Sequence, residues 1–257
     1  MKFSIITPTY KRSILLMRTI KSVVDQKYTN WEMIIVNDSP EDTSYQQFIS
    51  SAKDGRVRYY VNDKNRGVNY SRNFAMDNVS SDSDWIIFLD DDDYLSPEAL
   101  EELKDLILSK QNIKWFVTNR AYADGRLITK FPKNDNFYSY IWDSLILKKC
   151  KGDVTHCINT KLIKNIRYSK HIKQAEEWLF YYQISLKEKM YYSSLNTTLT
   201  DGYDETHGLN FRKRSRSQEY DNLKSFVKEG CDLKILHHVT FIIYLLMRLI
   251  RLIAKTN

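Results

Sequence analysis

A chain of 257 residues is long enough for one large domain, or a domain with appendages. Its formal charge of +7 favours anionic partners such as nucleotides, phospholipid surfaces or nucleic acid, while 7 Gly and 4 Pro argue against long disordered segments. Three cysteines without CxxC spacing argue against a disulfide framework or a zinc site and fit a reducing, cytosolic setting.

Taken in order, Lys2 to Thr7 reads as a first strand that Pro8 ends. This apolar opening is too short for a signal peptide, and Pro8 interrupts it. Residues 11 to 27 have helical spacing, with Ile14, Leu15, Ile20, Val23 and Val24 recurring. Trp31 to Val36 is a second buried strand, stopped by the turn cluster Asn37-Asp38-Ser39-Pro40. Glu41 to Lys53 reads as helix and Val57 to Val61 as a third strand. Asn65-Arg66-Gly67 turns the chain into a short helix, 69 to 79, bearing Arg72 and Asn73.

The apolar run from Trp85 to Leu89 then ends abruptly in Asp90-Asp91-Asp92-Asp93. It has the length of a buried strand rather than a helix. Ser96 and Pro97 are placed to cap and start a helix over 96 to 110. The carboxylates therefore sit at a strand's C-terminal end, where open α/β sheets bind ligands. Four adjacent negative charges repel one another, and a hard cation such as Mg²⁺ or Mn²⁺ relieves that repulsion. A solvated acidic turn is the plainer alternative, but so apolar a strand seldom feeds one.

Strands alternating with helices imply right-handed βαβ crossovers and an α/β fold with a mostly parallel sheet. The polar ends Thr7 to Tyr10, Asn37 to Ser39 and Asp90 to Asp93 then gather on one edge. GxGxxG and GxxxxGKS are both missing, so a nucleotide here must be held by side chains and a metal.

Further on, Ile113 to Thr118 reads as strand and Phe137 to Leu147 as an aromatic-rich helix. Residues 148 to 173 carry many Lys and Arg against a single acid, Asp153. A helix begins near Lys173, with Glu176 and Glu177 where the helix dipole favours carboxylates. Met190 to Leu199 reads as strand, and Gly202 to Arg216 as a polar loop containing His207 and a basic run from Arg212. Lys234 to Lys255 is a very apolar helix with a narrow polar stripe, including Arg248 and Arg251. Those charges interrupt it as a membrane span, and an in-plane membrane helix with basic flanks fits better; a core or dimer helix is the alternative. His156 and His171 have no partner spacing and read as structural.

Together these residues resemble the family 2 glycosyltransferases, which have the GT-A fold. Ile5 to Arg12 is similar to that family's first strand and nucleotide loop, and Val36-Asn37-Asp38-Ser39 to its second strand end. Asn65-Arg66-Gly67 and Ser71-Arg72-Asn73 resemble its Gly turn and Arg-Asn helix. Leu89 to Asp93 resembles its DxD metal motif, and Glu176-Glu177-Trp178 its late acidic pair. Two positions depart from the pattern. Glu177 stands where Asp is usual, and Asn37 replaces an acid.

The resemblance implies a GT-A domain over 1 to 210, with a nucleotide-binding half, 1 to 118, and an acceptor half, 119 to 210. Residues 211 to 257 follow as a basic loop and amphipathic helical tail. By resemblance, Asp92 binds Mn²⁺ or Mg²⁺, and Asp90 binds the nucleotide ribose or joins the metal shell. Asp91 is placed with the nucleotide-binding residues, or hydrogen-bonds backbone only, as Asp93 also could; Asp93 could instead orient a bound water. Asp38 accepts from the base's imino N–H, and Pro8 and Tyr10 line the base pocket, with plain packing as Tyr10's alternative. Arg72 contacts the diphosphate or the surroundings of Asp38, or is a surface helix cation. Glu177, with Glu176 as the other candidate, is the general base of an inverting displacement; a plain helix-start carboxylate is the alternative for each. His207 and Arg212 to Arg216 resemble the family's mobile loop, or form a solvated basic loop.

The implied activity is transfer of a hexose or N-acetylhexosamine from a nucleotide sugar, a UDP-sugar above all, to a bacterial surface-glycan or lipid-linked acceptor. It is expected at the cytosolic face of the membrane, with peripheral contact through 234 to 255, a homodimer being possible and no nucleic acid involved. A nucleotidyltransferase is a rival, but Thr7 to Arg12 lacks that class's glycines. A non-enzymatic basic membrane- or nucleic-acid-binding module is another, and it leaves the acidic strand ends unexplained.

Overall fold

The computed structural model describes residues 1–45, 54–172, 177–201 and 215–254. One mixed sheet runs through them. Its strands are β1 (Phe3–Thr9), β2 (Trp31–Asn37), β3 (Val57–Val61), β4 (Trp85–Phe88), β5 (Asp93–Leu95), β6 (Trp115–Tyr122), β7 (Asn136–Tyr138), β8 (Val154–Asn159) and β9 (Met190–Thr200). They lie in the order β3-β2-β1-β4-β8-β6-β9-β5, with β7 also on β9. The first four are mutually parallel, as βαβ alternation requires. Beyond β4 the sheet turns mixed: β8 is antiparallel to β4 and β6, and β9 runs parallel to β6.

Helices cover both faces. On one, α1 (Ser13–Val24) and α3 (Ala99–Ser109) bury Leu16, Ile20, Leu100 and Leu103 against Ile5, Met33, Ile87 and Phe116. On the other, α2 (Val68–Asp77) and α4 (Trp178–Ser185) set Ala75, Met76, Phe180 and Ile184 against Ile6, Ile34, Ile86 and Val117. Neighbouring strand residues such as Ile5 and Ile6 serve opposite cores, which is the two-residue period of a strand. A third cluster docks α5 (Arg216–Asp232) and α6 (Val239–Ala254) through Phe226, Phe241 and Tyr244 onto Trp178 and Tyr182 of α4. Gly230 lets the two helices close up, since a Cβ there would lie 2.6 Å from the Phe241 ring.

Several expectations need correcting. Pro8 does not end the first strand; it pairs in register with Val36. The Ile6 carbonyl accepts from Leu89 N on the β4 side, and Pro8, two residues on, faces the same side where β4 has already stopped. Its missing N–H therefore costs no ladder bond. The following helix cannot begin at Lys11, whose φ of 55° is left-handed, and starts at Ser13.

Ser96 does not cap α3. Its N–H donates to the Thr197 carbonyl, continuing the pairing of β5 with β9, and the helix starts at Ala99. The stretch expected as helix from Phe137 opens instead with β7, where Phe137 lies opposite Tyr191 with ring centroids 5.2 Å apart. Aromatic cross-strand pairing wins there, and Tyr140–Ile146 follows as a π-helical turn capped by Ser139. The basic stretch after 148 conceals β8. The tail helix is shorter than expected, and α5 precedes it. The expected helix from Glu41 is described only to Tyr45, and its remainder, 46–53, lies outside the described residues.

Candidate active site

The C-terminal ends of β1, β2 and β4 meet on one edge, as parallel neighbours must. At that edge Asp90 to Asp93 leave β4 and wrap around the start of α1. Thr19 of α1 donates its hydroxyl to the Asp91 carbonyl at 3.0 Å and to the Asp93 carbonyl at 2.6 Å. Arg18 donates to the Asp92 carbonyl at 2.8 Å. The acidic turn is thus pinned through its backbone, which leaves its side chains to face the site.

Arginines meet each carboxylate. Arg12 lies 3.2 Å from Asp91 and 2.8 Å from Asp92. Arg120 of β6 lies 2.5 Å from Asp93 and 3.3 Å from Asp153. Arg72 of α2 lies 2.7 Å from Asp90, and its other Nη atom pairs with Glu177. Asp91 faces inward and also accepts from the Thr9 hydroxyl at 2.7 Å. It is therefore tied to β1 and Arg12, while Asp90, Asp92 and Asp93 converge elsewhere.

Burial outweighs these cations at three positions. It pushes the Asp91 carboxyl up to about 7 against the pull of Arg12. Burial, then the neighbouring charge of Asp90, raises Asp92; burial also raises Asp93 well above the usual carboxylate range, with Arg120 opposing. Asp90 and Glu177 share one guanidinium. Burial works against both charges, but Arg72 with Arg120 holds Asp90 below its ordinary value, whereas Glu177 is left above its own.

A divalent ion fits this cluster. Asp90, Asp92 and Asp93 can each bring one oxygen within 4.8 Å of the others. Opposed ligands on Mg²⁺ or Mn²⁺ stand about 4.2 Å apart, so small side-chain shifts suffice. The donors are all hard oxygens. Burial raises the proton affinities of Asp92 and Asp93, and the neighbouring charge of Asp90 adds to it.

Asp38 is buried at the end of β2. Its carboxylate accepts from Asn62 Nδ2, Arg66 N and Gly67 N, each at 2.7 Å. Gly67 has a φ of 90°, which admits the turn that aims those N–H groups. Asn37, where the family pattern has an acid, folds onto its own turn and accepts from Ser39 N at 2.8 Å. Pro8 is buried, and Tyr10 is 41% exposed rather than packed into a core.

Arg72 links two of the expected site residues. Its side chain is only 4% exposed, so it is no surface cation, and its partners are Asp90 and Glu177 rather than Asp38. A buried guanidinium must find carboxylates, and α2 lies between the two that are near. Glu177 stands at the start of α4 without capping it, because its side chain is turned to Arg72. Glu176, His207 and Arg212 to Arg214 lie outside the described residues.

Reading the sequence assigned no role to Arg12, Thr19 or Arg120. Arg120 carried a usable signal: Thr118, Asn119 and Arg120 continue β6 as buried or half-buried polar residues. His156 is structural, accepting from Trp115 Nε1 at 3.1 Å, with burial lowering it to about 3. His171 pairs with Asp232 of α5 at 3.0 Å. No helix among the described residues is long and apolar enough to cross a membrane.

Residues 4–171 match the family model described as Glycosyl transferase family 2. A Campylobacter jejuni protein named GalNAc(5)-diNAcBac-PP-undecaprenol beta-1,3-glucosyltransferase is 28% identical over 74% of this chain and 62% of its own length. The Staphylococcus aureus poly(ribitol-phosphate) beta-N-acetylglucosaminyltransferase TarP is 28% identical over 88% of this chain and 71% of its own. Three curated relatives are matched over 34%, 62% and 44% of their lengths, so the chain spans only part of them. Among solved structures, S. aureus TarS 1-349 in complex with UDP-GlcNAc superposes with a TM-score of 0.70 at 19% identity, over 90% of this chain and 67% of that one. The shared fold is the GT-A arrangement of a central sheet flanked by helices.

Proposed function

The chain belongs to glycosyltransferase family 2, and from that premise we propose that it moves a hexose or N-acetylhexosamine from a UDP-sugar to a hydroxyl of a bacterial surface-glycan or lipid-linked acceptor, with inversion. The observation that carries this reading is Arg72, which joins Asp90 at the donor edge to Glu177 at the head of α4. A transferase needs both groups across one reacting centre: one side receives the leaving diphosphate, the other takes the acceptor's proton.

Pro8 and Tyr10 line the base pocket. Asp38 braces its wall through the 65–67 turn, and a carboxylate already accepting three bonds retains one lone-pair position for the base's imino N–H. Asp91 holds the acidic turn to β1. Asp90 and Asp92, with Asp93 beside them, hold Mn²⁺ or Mg²⁺, which supplies Lewis-acid neutralisation of the diphosphate when bound. Glu177 is the general base; burial raises its proton affinity against the pull of Arg72, which makes it a stronger base than an ordinary carboxylate. Arg72 fixes its carboxylate and is a positioning residue. Residues 1–118 form the donor half and 119–210 the acceptor half, with 211–257 as an appended helical region.

The outer face of α6 supports peripheral contact with the inner face of the cell membrane. Val239, Ile242, Leu246, Ile250 and Ile253 are all exposed and recur every three or four residues. A homodimer through the same face is the alternative, and it would appear as a doubled mass in solution without lipid.

The direct test is release of UDP from UDP-GlcNAc, or a donor-induced rise in melting temperature, with Mn²⁺ or Mg²⁺ present. Either response supports the reading. Neither response, across a panel of nucleotide sugars, contradicts it.

A further inference from the structure

On the acceptor half, two short segments meet in an isolated antiparallel bridge between Lys130 and Lys151. The bridge is fully formed. Lys130 N donates to the Lys151 carbonyl at 2.8 Å, and Lys151 N returns the bond to Lys130 at 2.9 Å. Residues directly opposite in an antiparallel pair carry their side chains on the same face, and like charges so placed destabilise the pair. Both lysines are exposed, and no ion pair to either occurs among the described residues. The nearest acid in sequence, Asp153, is engaged by Arg120.

The backbone is built to hold this arrangement. Gly152 has a φ of 78°, and a Cβ there would fall 1.9 Å from the Ile128 carbonyl oxygen. Only glycine lets the 148–153 segment approach 128–130 so closely. The bridge also adjoins the active site. Thr129, next to Lys130, accepts from Arg120 N and donates to the Asp153 carbonyl, and Arg120 is the partner of Asp93. Cations continue the other way: Lys148 and Lys149 are exposed, and Lys148 lies near Arg248 and Arg251 of α6.

We propose that Lys130 and Lys151 form a phosphate subsite for the acceptor, which is therefore a phosphate-bearing glycan rather than a neutral one. An oxyanion seated between two ammonium groups removes their repulsion and accepts a charge-assisted hydrogen bond from each. The assignment rests on the transferase reading above. UDP release from UDP-GlcNAc by the unaltered protein, without acceptor, tests that reading separately.

The test is binding of a short linear polyphosphate, and in parallel of phosphatidylglycerol vesicles, to the full chain and three double variants. Lys130→Gln/Lys151→Gln should weaken polyphosphate binding about tenfold, as loss of two charge-assisted contacts implies. Lys130→Arg/Lys151→Arg, which keeps the charge, should retain it. Lys161→Gln/Lys164→Gln removes two other exposed lysines and should change it less than about twofold. Equal weakening by both Gln pairs would overturn the proposal, as would a loss confined to the vesicles, which would make the ligand a lipid headgroup. Melting temperatures of the variants confirm folding, and because the side chains are exposed these should be no lower than that of the unaltered protein.

Discussion

The acidic edge at the ends of β1, β2 and β4 and the surface that carries Lys130, Lys151 and α6 handle charge and apolar area in opposite ways. At the edge, Asp90 to Asp93 and Glu177 meet Arg12, Arg72 and Arg120 in buried or half-buried pairs. Around Lys130, Lys151 and the exposed stripe of α6, two exposed lysines stand opposite each other on one backbone bridge and apolar side chains face water. A network that closes on itself positions groups for chemistry, because each fixes the next. A surface left uncompensated lowers its free energy only by acquiring something from outside.

This contrast can be broken or sharpened by substitution. The largest effect is expected at Glu177→Gln, which keeps size and removes the base. Transfer should fall by about 10²–10⁴-fold while donor binding stays within about twofold. Unchanged turnover would return Glu177 to a plain helix-start residue. Next, Arg72→Met strands Asp90 and Glu177 without their shared cation. Unpairing a buried group of this kind costs about 3–5 kcal/mol, so a lowered denaturation midpoint should accompany lost transfer. Phe241→Ala should cost a similar amount, about 3–5 kcal/mol, by emptying the contact between α6 and Trp178. On the open surface the expectation reverses: Leu246→Ser with Ile250→Ser should shift stability by less than about 0.5 kcal/mol, yet sharply reduce co-sedimentation with anionic vesicles.

The last effect emerges only on acidification. His156 is neutral and buried, with its folded value lowered to about 3. Unfolding lets the ring take up a proton at its ordinary value, so the unfolded state binds more protons between about pH 6.5 and 3. Stability should be complete above pH 6.5 and decline as pH falls through that window. His156→Gln keeps an acceptor for Trp115 and should flatten that part of the acid limb in a melting series.

How much of this was legible beforehand follows from the range of the interactions involved. The strands that end at Thr9, Asn37 and Phe88 could be read to within two residues, because burial and a two-residue period are local properties of the chain. Their convergence followed from handed crossovers alone. The partnership of Arg72 with Glu177 spans 105 residues and two halves of the domain, so nothing near either residue announces it. Arg120 lies two residues past Thr118, where the expected strand stopped, whereas β6 runs on to Tyr122. Ser96 misled because a cap signal is also a turn signal, and the sheet took its backbone first. The Lys130–Lys151 bridge depends on close backbone approach at Gly152, which composition cannot display.

In the proposed reaction, Asp90, Asp92 and their neighbours hold a cation that carries the donor's diphosphate. Melting of the full chain with UDP-GlcNAc, measured with and without Mn²⁺ beside Asp92→Ala, tests it most directly. The unaltered protein should show a donor-induced rise that needs Mn²⁺ and disappears in Asp92→Ala. A rise of equal size in the variant, or one indifferent to the metal, would contradict it.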